Sequence, residues 1–135
     1  MYSLIVEDDF VSRKILQKIL SQFGECDNAT NGLEAIKAFK LAWEQCRPYD
    51  LICMDIMMPV VDGQAALQEI RQLEKDFGLR SDEVVKVIMT TALNDKKEVV
   101  DAFYKGEAAS YFVKPFEVDE LVKELKVLGL LDAHL

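Results

Sequence analysis

The chain has 135 residues, of which 50% are hydrophobic and 30% are charged, the composition of one ordinary globular domain. Its formal net charge of −8 argues against direct binding of nucleic acid, because clusters of Lys and Arg hold a phosphate backbone. No apolar run approaches the ~20 residues of a membrane span, and the N-terminus lacks the basic start of a signal peptide. The three cysteines form no close pair, so we expect a reducing, cytoplasmic setting.

Short apolar runs alternate along the chain with longer segments of helical period. In chain order the runs are 2–6, a weaker one at 25–30, then 51–54, 84–89 and 111–113. They are short and partly β-branched, which is typical of buried parallel strands. The runs therefore predict the strands of one parallel sheet.

A helical pattern follows each of these runs. In order, the patterns carry Val11, Ile15, Ile19 and Phe23; Leu33, Ile36, Phe39 and Trp43; Leu67, Ile70 and Phe77; Val99, Val100 and Phe103; and Val118, Leu121, Val122, Leu125 and Leu128. The second opens with Asn31 three residues before Glu34, which predicts a capping pair. Strict alternation of strands and helices predicts an α/β fold with helices on both faces of the sheet. Only about seven residues follow the last pattern, so we expect one domain over 1–135 without an output domain.

Polar residues stand at the ends of several predicted strands. Glu7-Asp8-Asp9 follows the first run, Asp55 the third, Thr90-Thr91-Ala92 the fourth and Lys114-Pro115 the fifth. In an open parallel sheet, ligands bind outside the carboxyl ends of the strands, where the strand order reverses. If the order is 2-1-3-4-5, the first and third strands are neighbours at that reversal, and Glu7, Asp8 and Asp55 converge.

Converging carboxylates repel one another, by roughly 4 kcal/mol for two charges about 4 Å apart at an effective dielectric of about 20. Such a cluster must hold protons or bind a cation, and oxygen ligands select a hard cation such as Mg²⁺ or Mn²⁺. An Asp carboxylate can act as a nucleophile toward phosphorus, while Lys and Thr contact the phosphoryl oxygens. Each feature alone is common in loops and helix caps, but together they predict a metal-assisted phosphoryl site.

These motifs resemble the receiver domains of two-component response regulators, of the stand-alone CheY-like type, over essentially the whole chain. The matching stretches are Val6-Glu7-Asp8-Asp9, the block 55–63 with the pattern D-x-x-M-P-x-x-D-G, Met89-Thr90-Thr91-Ala92 and the stretch 110–116. The resemblance implies a doubly wound (βα)5 flavodoxin-like fold with strand order 2-1-3-4-5.

The resemblance also implies a role for each residue of the acidic cluster. Asp55 is expected to accept the phosphoryl group. Asp8, Asp55 and the backbone carbonyl of Met57 are expected to ligate Mg²⁺ (or Mn²⁺), with Glu7 acting through water. Asp9 falls at a position that varies in the family, and we expect it to cap the first helix.

A receiver of this kind is a signalling switch and not an enzyme with an external substrate. The donor is a histidine kinase or a phosphotransfer protein, and Thr91 and Lys114 contact the phosphoryl group. We expect a cis bond at Lys114–Pro115, which would point the Lys114 side chain into the site. Thr91 then moves and Tyr111 turns inward, which changes the surface of the fourth helix, fifth strand and fifth helix for a protein partner. That surface is expected around Val99, Phe103, Tyr111 and Leu121, with no nucleic-acid or membrane partner.

The main alternative is a small phosphatase of the haloacid dehalogenase type, which also uses Asp, Thr and Lys around Mg²⁺. Such an enzyme needs a second Asp two residues after the nucleophile, where this chain has Met57. A flavodoxin-like cofactor module would need a phosphate-binding loop after the first strand, where three acids stand instead. A receiver that only binds protein is disfavoured by the complete set of site residues. Two stretches depart from the family pattern: 105–110 is one residue longer than usual, and 76–83 is long and polar.

Overall fold

The computed structural model describes residues 1–58, 60–92 and 108–133. Those residues form five strands and four helices. The strands are β1 (Ser3–Val6), β2 (Cys26–Ala29), β3 (Leu51–Asp55), β4 (Lys86–Thr91) and β5 (Ser110–Val113). The helices are α1 (Phe10–Leu20), α2 (Gly32–Glu44), α3 (Gly63–Asp76) and α4 (Val118–Val127). The predicted helix at Val99, Val100 and Phe103 falls outside the described residues.

The five strands form one sheet in the order β2-β1-β3-β4-β5, and every neighbouring pair is parallel. The expected doubly wound, flavodoxin-like fold is therefore confirmed. β1 and β3 pair in register from Ser3 opposite Leu51 to Val6 opposite Met54. Their carboxyl ends consequently emerge side by side, at the point where the strand order reverses.

All five strands differ from the predicted runs by one or two residues at an end, and the differences in β3 and β4 bear on the site. β4 spans Lys86–Thr91 instead of 84–89, and β3 includes Asp55. Asp55 pairs with Thr90 in the β3–β4 ladder, so Asp55, Thr90 and Thr91 continue their strands instead of following them. Before the strand, the N–H of Val85 donates to the Glu74 carboxylate at 2.7 Å, which holds this residue outside the ladder.

Successive residues of each central strand belong to two separate cores, because side chains along a strand point alternately to opposite faces of the sheet. In β1, Leu4 and Val6 belong to the core beneath α2 and α3, whereas Ile5 belongs to the core beneath α1 and α4. All three side chains are fully buried. The sheet is thus covered on both faces, as the sequence predicted.

The buried face of α1 differs from the predicted one. Leu16, Ile19 and Leu20 are buried, whereas Val11 and Ile15 are 62% and 55% exposed. Because the helix rests on the row that contains Leu16 and Leu20, the row with Val11 and Ile15 is left at the surface. Phe23, predicted on the same face, lies beyond the end of the helix.

Side chains cap the first two helices as predicted. Asp9 accepts a hydrogen bond from the N–H of Ser12 at 2.8 Å, and this contact lowers the pKa of Asp9. Asn31 accepts from the N–H of Glu34 at 2.8 Å, while the Glu34 carboxylate reaches back to the N–H of Thr30 at 2.6 Å. Within the described ranges, no helix is both long and apolar enough to cross a membrane.

Candidate functional site

Glu7, Asp8 and Asp55 meet at the carboxyl ends of β1 and β3. One carboxylate oxygen from each residue lies within 4.8 Å of the other two. Glu7 and Asp55 are buried, whereas Asp8 is exposed. The strand order places the three acids together. The site therefore has one solvent-exposed carboxylate, from Asp8, and two buried carboxylates at the edge of the sheet.

Lys114 enters this cluster from the end of β5. Its ammonium group donates hydrogen bonds to Glu7 and, at 3.3 Å, to Asp55 Oδ2. The Lys114–Pro115 bond is cis, as predicted, and the Lys114 N–H donates to the carbonyl of Thr91 at 2.7 Å. The ends of four strands, β1, β3, β4 and β5, therefore contribute to one site.

The cluster shifts the pKa values of its own members. Burial raises the pKa of Glu7, and Asp55 raises it further, while the hydrogen bond from Lys114 acts in the opposite direction. Burial lowers the pKa of Lys114, but the carboxylates of Glu7 and Asp55 outweigh this effect, and the net shift is upward. Lys114 therefore remains an ammonium ion at neutral pH and offsets part of the negative charge of the cluster.

The donor set at this edge suits a hard cation. The available ligands are carboxylate oxygens, and Asp8 presents its carboxylate to solvent, where a partly hydrated ion can approach. Glu7 is already engaged by Lys114 through one oxygen, and its other oxygen accepts from the N–H of Asp9 at 3.4 Å. Asp8 and Asp55 are thus the better placed of the three carboxylates for direct contact with a metal ion.

The loop after Asp55 is folded back against the end of β3. The N–H of Met57 donates to Asp55 Oδ1 at 3.2 Å, and the N–H of Gly63 donates to the carbonyl of Ile56 at 2.8 Å. Asp62 caps α3 by accepting from the N–H of Ala65 at 2.8 Å. A methyl group on Gly63 would lie 2.3 Å from the carbonyl oxygen of Asp55, so only glycine fits there. Asp62 and Gly63 of the 55–63 block therefore hold the loop after Asp55 against the end of β3.

The two predicted switch residues differ in exposure. Thr91 ends β4 and is buried, and within the described residues its hydroxyl makes a long contact of 3.4 Å with the carbonyl of Ala92. Tyr111 on β5 is 44% exposed and lies opposite Met89 in the ladder. Leu121, predicted to contribute to the switch surface, is instead fully buried because it packs into the core beneath α1 and α4. Val99 and Phe103 lie outside the described residues.

A groove with an apolar lining runs beside the site, and the sequence analysis did not anticipate it. Its volume is about 190 Å³, and its walls are Ser12, Ile15, Leu16 and Ile19 of α1 with Lys114, Pro115, Phe116 and Val118. We call it the α1 groove. The apolar residue Ile15 on the predicted face of α1 was its sequence signal, but a helical period alone does not show which row faces the core.

The sequence analysis also missed two residues whose backbone contacts support the segments around the acidic cluster. Arg13 on α1 donates to the backbone carbonyl of Glu7 at 2.9 Å, which supports the turn that carries the acidic pair. Gly32, the first residue of α2, donates to the carbonyl of Val61 in the loop after Asp55 at 3.1 Å. Neither contact has a local sequence signal, because both join segments that are brought together only by the fold.

Comparison with known proteins finds a family match over most of the chain. Residues 3–126 match the family model for the response regulator receiver domain. The chemotaxis protein CheY of Listeria monocytogenes is 36% identical over 125 residues, which cover 91% of this chain and 93% of the relative.

Two solved structures are similar over nearly their whole length. One is the receiver domain of the Saccharomyces cerevisiae response regulator Ssk1, in complex with the histidine phosphotransfer protein Ypd1. It has 28% identity and a TM-score of 0.80, with 98% of this chain and 93% of that chain covered. The other is the CheX–CheY–BeF3–Mg²⁺ complex of Borrelia burgdorferi, with 26% identity, a TM-score of 0.79 and coverage of 97% and 90%.

Proposed function

Since this chain belongs to the family of response regulator receiver domains, the signalling switches of two-component systems, we propose that Asp55 accepts a phosphoryl group with the help of bound Mg²⁺ (or Mn²⁺). The donor is a histidine kinase or a phosphotransfer protein. The observation that carries this proposal is the meeting of Glu7, Asp8 and Asp55 with the ammonium group of Lys114. The comparisons give no support to the phosphatase alternative.

The proposed metal ligands are Asp8, Asp55 and the backbone carbonyl of Met57, with Glu7 acting through water. Their oxygen chemistry fits Mg²⁺, which commonly binds through one or two carboxylates together with water and phosphate oxygens. When bound, the ion supplies positive charge that stabilises the phosphoryl oxygens during transfer. The Borrelia CheY complex, which contains BeF3 and Mg²⁺, supports this assignment.

In the proposed transfer, a carboxylate oxygen of Asp55 forms a bond to phosphorus as the bond between phosphorus and the donor histidine nitrogen breaks. Lys114 is within reach of the transferred group, because its ammonium already lies 3.3 Å from Asp55 Oδ2. Among the described residues, the Thr91 hydroxyl has a long contact of 3.4 Å that it can exchange for a phosphoryl oxygen. The chain catalyses its own phosphorylation and slow dephosphorylation in this scheme, and it turns over no external substrate.

We place the phosphoryl donor over the α1 groove. Lys114 lines the groove and also contacts Asp55, so a protein seated there has its histidine next to the acceptor. Val11 and Ile15 beside it are more than half exposed, and such apolar surface is typical of protein–protein contacts. The complex of Ypd1 with the Ssk1 receiver supports a phosphotransfer protein as one such donor.

The proposed output is a conformational change at the other side of the site. Phosphorylation would draw Thr91 toward Asp55 and let the exposed Tyr111 turn inward, which changes the surface that β5 forms with α4 and the predicted fourth helix. A downstream protein then binds the changed surface. The Borrelia complex of CheY with CheX supports a protein as a partner.

Labelling with acetyl phosphate tests the proposal. The wild-type chain should become phosphorylated only when Mg²⁺ is present, and Asp55→Asn should abolish the labelling. Asp62→Asn is the matched control, because it makes the same change in the same loop and retains a capping side chain. Labelling that persists in Asp55→Asn, or a product that hydroxylamine does not cleave, would overturn the assignment of Asp55.

A further inference from the structure

Gly32 touches the backbone of the loop that follows the proposed acceptor. Its N–H donates a hydrogen bond to the carbonyl oxygen of Val61 at 3.1 Å. A methyl group at the Cβ position of Gly32 would lie 2.3 Å from that oxygen and 3.0 Å from its carbonyl carbon. Gly32 is buried and begins α2, so space and not backbone conformation requires a glycine here. The obstacle is main chain, which cannot swing aside as the end of a flexible side chain can.

The same loop contains a residue in an unfavourable conformation. Val60 has a φ of 71°, in the left-handed region that a β-branched residue rarely adopts, and it is 80% exposed. Such a conformation persists only where neighbouring contacts hold the backbone. On one side of Val60 the loop returns to β3 at Met57, and on the other side Val61 is held by Gly32. The Gly32 contact is therefore a support for this loop from outside it.

We propose that Gly32 is a positioning residue that sets the affinity of the site for Mg²⁺. By holding the Val61 carbonyl, it fixes the loop that presents the backbone carbonyl of Met57. This inference rests on the proposed function, in which that carbonyl is a metal ligand. Through this contact the N-terminus of α2, which contributes no residue to the acidic cluster, becomes part of the support of the site.

The test compares Gly32→Ala with Ala42→Gly. Ala42 is a buried residue near the other end of α2, so the control also changes one methyl group in the same helix, but far from the loop. The rate of Asp55 labelling by acetyl phosphate is measured against Mg²⁺ concentration, and urea unfolding is measured for each protein. In Gly32→Ala the half-saturating Mg²⁺ concentration should rise about tenfold, as for other residues that orient a metal ligand. The rate at saturating Mg²⁺ should approach that of the wild type.

An unchanged half-saturating concentration in Gly32→Ala, or an equal rise in Ala42→Gly, would overturn the inference. If Gly32→Ala does not fold, Val61→Gly loosens the same contact from the loop side, and the same rise is expected.

Amide NMR of the metal-free proteins separates this inference from the proposed function. Shifts at Ile56 and Met57 in Gly32→Ala, absent from Ala42→Gly, support the positioning role, and their absence refutes it. If labelling of the wild type is independent of Mg²⁺, the proposed function fails, and these shifts still decide whether Gly32 positions the loop.

Discussion

The ammonium group of Lys114 donates a hydrogen bond to the buried carboxylate of Glu7, a residue 107 positions earlier in the sequence. The same group lies 3.3 Å from Asp55, so it sits among the carboxylates that a cation is proposed to bind. Two positive charges in one cluster repel each other. Lys114 and the metal ion therefore compete for part of the same negative charge.

We predict that Lys114→Met binds Mg²⁺ more tightly than the wild type and is phosphorylated more slowly. The affinity should rise about three- to tenfold, a modest effect because Lys114 is partly exposed and its charge is screened. Calorimetric titration measures the affinity, and acetyl phosphate labelling measures the rate. Lys86→Met, which removes an exposed ammonium at the start of β4, is the control. Weaker binding of Mg²⁺ by Lys114→Met would contradict the competition.

Asp8 and Asp9 are adjacent acids with different predicted roles. Asp8→Asn should weaken Mg²⁺ binding by about tenfold or more, because it removes a carboxylate ligand. Asp9→Asn should leave the affinity nearly unchanged, because Asp9 already caps α1 and asparagine caps equally well. Titration of the wild type and both variants with Mg²⁺ measures the three affinities. Equal affinity in Asp8→Asn and the wild type would remove Asp8 from the site.

Thr91 and Tyr111 should respond together when the acceptor is occupied. In the wild type, addition of beryllofluoride and Mg²⁺ should shift the NMR signals of Tyr111 and of β5 as well as those near Asp55. In Thr91→Ala the signals near Asp55 should still shift, but the response of Tyr111 should be at least halved, because the hydroxyl that couples them is absent. Thr90→Ser, which retains a hydroxyl next to Thr91 on the same strand, is the control. Wild-type shifts confined to the loops around Asp55 would show that the coupling is absent.

Local patterns were sufficient for the alternating elements of the described residues and for the cap at Asn31, while the cap at Asp9 was expected from the resemblance. Each of those features depends on residues within a few positions of one another. The strand order and the individual site roles came from the resemblance, because spacing alone does not specify which strands are neighbours. The acidic residues could be found because they follow strands whose carboxyl ends lie at one edge.

Other features depended on packing between distant segments. The period of α1 indicated an apolar face but not that Val11 and Ile15 would remain exposed beside the β5–α4 connection. The later start of β4 follows from pairing with β3 and from the contact of Val85 with Glu74. The approach of Gly32 to Val61 joins the start of α2 to the loop after β3, and the two share no motif. None of these contacts leaves a periodic or local signal in the sequence.

A buried ion pair between Arg71 and Glu74 connects α3 to Val85, on the far side of the long polar stretch 76–83. Glu74 accepts from Arg71 at 2.7 Å, and Arg71 also donates to the carbonyl of Val85 at 2.9 Å. We predict that Glu74→Ala lowers the free energy of unfolding by about 3–5 kcal/mol, because it removes a buried carboxylate that pairs with Arg71 and accepts from the N–H of Val85. The double variant Arg71→Met, Glu74→Leu should lose much less. Urea denaturation measures both, and an equal loss in the two proteins would contradict this account.

The residue two positions after the acceptor should govern how long the phosphorylated state lasts. Hydrolysis needs a water molecule in line with the phosphorus atom, opposite the Asp55 oxygen. In receivers, the side chains two residues after the acceptor and two residues after the switch threonine flank that approach. Here these are Met57, which is 52% exposed, and Leu93, which lies outside the described residues. Neither a thioether nor an isobutyl group orients water well, so the sequence predicts slow self-dephosphorylation.

We therefore expect Met57→Asn to shorten the lifetime of the aspartyl phosphate, and the double variant Met57→Asn, Leu93→Glu to shorten it further, by about tenfold or more. Val60→Asn places the same amide on an exposed position of the same loop and serves as the control. The decay of phosphorylated protein after removal of the donor measures each lifetime in the presence of Mg²⁺. Because the change adds a polar group without removing a proposed metal ligand, the labelling rate should stay close to that of the wild type. A decay rate in the double variant that is unchanged or slower would show that these two positions do not control access of water to the phosphoryl group.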